Sequence, residues 1–119
     1  LPLGIGFKNW LQGADVVFST PFFTDAEAIL SRAADAAADD ADAAAKVAYL
    51  RTGLEHARRT FAVLLTQRAW QKNSSPGNKD AFSAAQKDLR EYRAGIEARL
   101  TADMGYLMMR ENGGSQWHR

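Results

Sequence analysis

Residues 46–70, KVAYLRTGLEHARRTFAVLLTQRAW, decide the fold. The stretch has no Pro, and its only Gly is Gly53. Val47, Leu50, Leu54, Ala57, Phe61 and Leu64 recur at alternating steps of three and four, which places them on one side of an α-helix. A second row, Tyr49, Gly53, His56, Thr60, Val63 and Trp70, lies roughly 100° further round. Arg51, Glu55, Arg58 and Arg59 fill the remaining face. A helix with two semi-apolar rows needs neighbours on two sides.

On the C-terminal side, Asn73-Ser74-Ser75-Pro76-Gly77-Asn78 reads as a turn. Beyond it Phe82, Ala85, Leu89, Tyr92, Ile96, Leu100, Met104 and Leu107 form the inner row of another long helix, ended by Asn112-Gly113-Gly114. A short turn between two long helices predicts an antiparallel hairpin. On the N-terminal side, Thr24-Asp25-Ala26-Glu27 has the form of a capping box, with Phe23 in the staple position. It predicts an Ala-rich helix with Ile29, Leu30, Ala33, Ala34 and Ala37 inward. Asp39, Asp40 and Asp42 then end it and cap the next helix.

The expected architecture is all-α. It is a three-helix bundle built on a long antiparallel hairpin, with helices over about 25–39, 41–72 and 79–111. An irregular N-terminal segment, 1–23, precedes the bundle and a tail, 113–119, follows it. The leading residues lack a helical period, although Val16, Val17 and Phe18 are β-prone. Leu1, Leu3, Ile5, Phe7, Trp10 and Leu11 are too apolar for a free tail.

The 119 residues suit one domain with one core. Fifteen Lys and Arg against fourteen Asp and Glu leave a net charge of +1, which gives no strong attraction to nucleic acid or anionic lipid. The bases of residues 46–72 are spread around the helix rather than aligned, so nucleic acid is not an expected partner. No Cys is present, which excludes disulfides and thiolate chemistry. No apolar run approaches the ~20 residues of a membrane span. The first residue is not Met and no signal-peptide pattern follows it, so the chain reads as a piece of a longer protein.

Catalytic chemistry finds no foothold. His56 and His118 are the only histidines. Glu55 and His56, adjacent on a helix, diverge by ~100° and cannot converge on one ion, so no metal site is expected. No nucleophile, base and orienting group share a neighbourhood. Glu91 and Glu97 are conceivable glycosidase carboxylates, but each has Arg neighbours. Glu55 is flanked by Arg51, Arg58 and Arg59, the spacing of helix-surface ion pairs. Gly4-Ile5-Gly6 lacks the strand-turn-helix context of a phosphate loop. Trp10, Trp70 and Trp117 could stack on sugar rings, but core or interface anchoring is the plainer role. No catalytic, cofactor-binding or metal residue is therefore assigned.

Three glycines inside predicted helices, Gly53, Gly95 and Gly105, each cost about 1 kcal/mol relative to Ala. On the outer side of the third helix Gly95, Ala98, Ala102 and Gly105 form a row of small residues. This row is either plain tolerance at solvent positions or a docking face. Together with Phe7, Trp10 and Phe18 of the leading segment, it nominates the candidate interface.

Two blocks carry a resemblance. VAYLRTGLEHARRT (residues 47–60) resembles the V-x-[FY]-L-R-x-G-L-E-H-A-x-x-T segment near the end of a group of large bacterial glycoside-hydrolase-like proteins. DMGYLMMRENGGSQW (residues 103–117) resembles their later N-L-G-Y-L-Y-W-x-E-x-x-x-x-W segment, with Asp103 for the common Asn and Met108 and Met109 where aromatics are more usual. The resemblance covers about residues 20–117. It implies the C-terminal helical region of a multidomain carbohydrate-active protein of unknown function, exported or periplasmic, with a catalytic-type barrel elsewhere. The implied role is a non-catalytic accessory domain whose partners are other domains of the same polypeptide, with carbohydrate met through the parent protein. A carbohydrate-binding or protein-interaction helical module is the alternative.

Overall fold

The computed structural model describes residues 18–97. The described residues form three helices and no strand: α1 (Thr20–Ala36), α2 (Ala41–Lys72) and α3 (Pro76–Ile96). The fold is the expected all-α three-helix bundle. Helix α2 is its axis. Helices α1 and α3 each pack along α2, as the two rows of residues 46–70 require.

The row containing Phe61 faces α1, where Phe23 and Phe61 lie 5.5 Å apart between ring centroids. The row containing Val63 and Trp70 faces α3. Val63, Phe82 and Leu89 are buried together there, with Trp70 and Ala85 against them. Trp70 stacks on Phe82 at 5.6 Å. The hairpin is antiparallel and its register can be followed side chain by side chain. Trp70 lies by Phe82, Arg59 by Asp88, His56 by Arg93 and Thr52 by Tyr92.

Helix α1 starts at Thr20, inside the stretch expected to be irregular. Ser19 is its cap, accepting from the amide of Phe22 at 3.2 Å, and Pro21 occupies the first turn. A Pro there lacks only an amide that the helix leaves unpaired anyway. Thr24 is consequently interior, and its hydroxyl donates to the Thr20 carbonyl at 3.1 Å instead of closing a capping box. The early start carries Phe23 into the core as a helical residue. Helix α1 ends at Ala36, before 39, with Ala37 buried at its C-cap. Ile29, expected inside, is 56 % exposed. Leu30, Ala33 and Ala34 are half-buried.

Asp40 is the member of the aspartate group that caps α2, accepting from Ala43 at 3.1 Å. Helix α2 spans 41–72, as expected. The turn is tighter than its sequence suggests. Ser75 caps α3 by accepting from Asn78, and Pro76 begins the helix. Asn78, within the first turn of α3, reaches back to the carbonyls of Ala69 and Asn73 at 3.3 and 2.9 Å. Phe82, Leu89 and Ile96 of the predicted inner row are buried, and Ala85 and Tyr92 half-buried. The stretch 98–111 expected to continue this helix, the Asn112-Gly113-Gly114 stop and the tail lie outside the described residues. Val16, Val17 and the residues before them do so as well.

Candidate functional site

The GLEHA block sits in the middle of α2, between its two neighbours, and its Glu55 carboxylate and His56 Nε2 are engaged within the chain. Glu55 receives Arg58 on both carboxylate oxygens, with the Arg58 Nε at 2.9 Å. Arg59 adds a third hydrogen bond through its Nε at 3.0 Å. The hydrogen bonds from Arg58 are the largest influence on the Glu55 carboxyl; burial opposes them, and the charges of Arg58 and Arg59 with the Arg59 hydrogen bond keep it below its ordinary value. Glu55 is a fixed anion, unsuited to donate a proton to a leaving group.

Arg59 is more than a helix-surface partner. Its other end pairs with Asp88 of α3, and its guanidinium lies over the Tyr92 ring at 4.6 Å. Tyr92 in turn donates to the Thr52 carbonyl of α2 at 3.0 Å. Arg51 does not join Glu55 as the i,i+4 spacing suggests. It crosses to α1, meeting Glu27 and Ser31, both at 3.2 Å. The neighbouring helix supplies a carboxylate on the side to which Arg51 points, and Glu55 is already occupied. Each of the two seams of α2 thus carries an Arg–carboxylate link.

His56 faces α3. Its Nε2 accepts from the Nε of Arg93 at 2.9 Å. An imidazole that accepts through Nε2 is neutral, with its proton on Nδ1. Burial, reinforced by the Arg93 charge, pushes the His56 pKa down to about 4. The His56 carbonyl also accepts from the hydroxyl of the buried Thr60 at 2.9 Å. Arg93 itself is 2 % exposed. Sequence reading leaves it out of the inner row, although its spacing is the available signal. It lies four residues after Leu89 and three before Ile96, on the buried side. A charged residue at such a position is easily passed over, since Arg is rarely buried unless paired.

Between α1 and α3 an open cleft of about 1000 Å³ runs over α2. Its apolar lining includes Phe23, Phe61 and Leu65, and Arg51, Arg58 and Tyr92 contribute polar groups. Opposite charges alternate along it, so it offers no concentrated field to an anion or a cation. Among the described residues no group of three His, Cys, Asp or Glu side chains could hold a metal ion. Glu91 pairs with Lys87 at 3.7 Å on the exposed side of α3.

Of the candidate interface residues, two are described. Phe18 is half-buried and packs on Phe22 and Phe23 of α1, at 5.1 and 5.7 Å between centroids. Gly95 is exposed on α3, and a Cβ there would meet open space. Phe7, Trp10, Ala98, Ala102 and Gly105 lie outside the described residues, as do Trp117 and the 103–117 block. Trp70 belongs to the hairpin core through its stack on Phe82. No helix among the described residues is long and apolar enough to cross a membrane. Comparison with known protein families, characterised proteins and solved structures finds no match for the chain.

Proposed function

We propose that the chain is a non-catalytic helical accessory module that packs against other parts of its own polypeptide. One observation carries the reading: the polar residues of the GLEHA block serve the bundle. Glu55 is held by two arginines and His56 by Arg93, so neither is presented to a substrate as an acid, base or ligand. The block looks like a motif selected for building the α2 seams. Its likeness to the C-terminal region of bacterial glycoside-hydrolase-like proteins extends the proposal to an exported, carbohydrate-active parent with its catalytic domain elsewhere. That extension rests on the 47–60 and 103–117 blocks alone.

The alternative, a module that itself binds carbohydrate or protein, draws support from the cleft between α1 and α3, where Phe23, Phe61 and Leu65 lie beside arginines. Titration of the chain with oligosaccharides while following tryptophan fluorescence separates carbohydrate binding from the accessory role. An accessory module gives no saturable change and no turnover. A saturable change would favour the carbohydrate-binding reading, and turnover abolished by Glu55→Gln would end the non-catalytic one.

A further inference from the structure

The seam between α2 and α3 changes character along its length. Toward the turn it is closed by apolar side chains: Trp70 stacks on Phe82, and Val63, Phe82 and Leu89 are buried together. About 21 Å back along α2 from Trp70, at 1.5 Å per residue, His56 and Arg93 close it instead. Arg93 is almost wholly buried, and so are Leu89 and Ile96 on either side of it along α3.

This pairing holds in one protonation state of His56. A guanidinium has donors and no acceptor, so the Nε of Arg93 needs the lone pair on His56 Nε2. Protonation turns Nε2 into a donor, and two N–H groups then point at each other across a 2.9 Å gap. The new charge is also half-buried beside a second cation, which opposes it. The described carboxylates around the seam are engaged elsewhere. On α2, Glu55 holds Arg58 and Arg59; on α3, Asp88 holds Arg59, Tyr92 donates to Thr52, and Glu97 is exposed. On α1, Glu27 holds Arg51 at the other seam. Trp70, Phe82, Val63, Phe23 and Phe61, by contrast, carry no group that titrates.

We propose that His56 is an acid-sensitive latch: charging its ring parts α2 from α3 around Arg93, while the Trp70–Phe82 stack and the Phe23–Phe61 contact stay closed. The device goes beyond the accessory role and does not depend on it. Its driving force grows as pH falls below the ordinary histidine value of 6.5, because the parted seam lets the ring take up a proton that the closed seam refuses down to about pH 4. Once parted, the stretch of α3 around Arg93 loses the packing that sustains most helices in proteins.

Native-state hydrogen exchange on the full 119-residue chain, at pH 7 and pH 5 and in zero and low urea, tests this. Opening of the 89–96 amides is expected to rise about 20-fold between pH 7 and pH 5. It should depend little on low urea, and at pH 5 exceed the opening of 61–70 by at least about ten-fold. His56→Gln keeps an acceptor and cannot charge, so it should hold the 89–96 opening within about three-fold across the same pH change. Equal opening and equal urea dependence in the two segments would overturn the proposal, since the seam would then part only when the whole fold does. So would opening that ignores pH in the unaltered chain, or a rise that survives His56→Gln. NMR of the unaltered chain needs no substitution. Protonation of the His56 ring is expected to coincide with shift changes at the Leu89 and Ile96 methyls and not at the Phe82 ring. Protonation that leaves Leu89 and Ile96 unmoved would overturn the latch.

Discussion

The Nε of Arg93 donates to Nε2 of His56 at 2.9 Å across the α2–α3 seam, and this makes a neutral histidine part of the fold. The His56 pKa in the folded chain is about 4, against an ordinary value of 6.5. Between these values the unfolded chain binds the proton and the folded chain does not, so stability rises with pH across that window. It is fully present above about 6.5 and is lost as pH falls toward 4. Urea midpoints are expected to drop steadily from pH 7 to pH 4.5, with Glu55 adding its own loss only at the acidic end, since its pKa lies below 4.5. His56→Gln, which keeps an acceptor and removes the titration, flattens the upper part of the curve. An unchanged slope in that variant would assign the pH dependence to other groups.

Arg59 and Arg51 should respond differently to Lys. Arg59 divides its guanidinium between Glu55 and Asp88 and lies over Tyr92, geometry an ammonium cannot reproduce. Arg59→Lys is expected to cost about 1 kcal/mol. Arg51 contributes one nitrogen to Glu27 and Ser31, while its buried Nε has no hydrogen-bond partner. Arg51→Lys removes that orphaned donor and keeps the charge, so a change within about 0.5 kcal/mol is expected. Denaturant unfolding of the two variants side by side checks the contrast.

Leu89 and Ile29, two large aliphatic side chains, separate core from surface. Leu89 is almost completely buried against Val63 and Phe82. Leu89→Ala is expected to cost about 2–5 kcal/mol. Ile29 is largely exposed, and Ile29→Ser is expected to change stability by less than about 0.5 kcal/mol. Thermal midpoints of the two variants measure the difference directly.

Gly95→Ala is expected to stabilise the chain by about 0.5–1 kcal/mol, because Gly95 lies inside α3 with open space where the Cβ would go. Gly53→Ala on α2 should act in the same direction for the same reason. A loss of stability at Gly95 in the full chain would mean that something outside residues 18–97 approaches the α3 backbone there. This is the one result that would turn the small-residue row from tolerance into contact.

Much of this architecture is legible in residue spacing. Helix α2 can be read end to end because Asp40 precedes it, Asn73 follows it, and its two rows differ enough in angle to demand two neighbours. The start of α1 is not legible in the same way. Ser19-Thr20-Pro21 and Thr24-Asp25-Ala26-Glu27 are both good helix starts, and the choice between them depends on Phe23 reaching Phe61, a tertiary contact 38 residues away in sequence. The chemistry of the GLEHA block is half legible. The Glu55–Arg58 and Glu55–Arg59 pairs follow from helical spacing within α2. Arg51–Glu27, Arg59–Asp88 and His56–Arg93 require knowing which face meets which helix, and local spacing carries no information about that.

The claim that the GLEHA block serves the bundle is tested most directly by a double-mutant cycle on His56→Ala and Arg93→Ala, read as unfolding free energy at pH 7. If the pair ties α2 to α3, each single change should destabilise the fold, and the two effects should fail to add by about 0.5–3 kcal/mol. Additive effects near zero, with both variants as stable as the parent, would contradict the structural role of His56 and return it to the residues available for binding or catalysis.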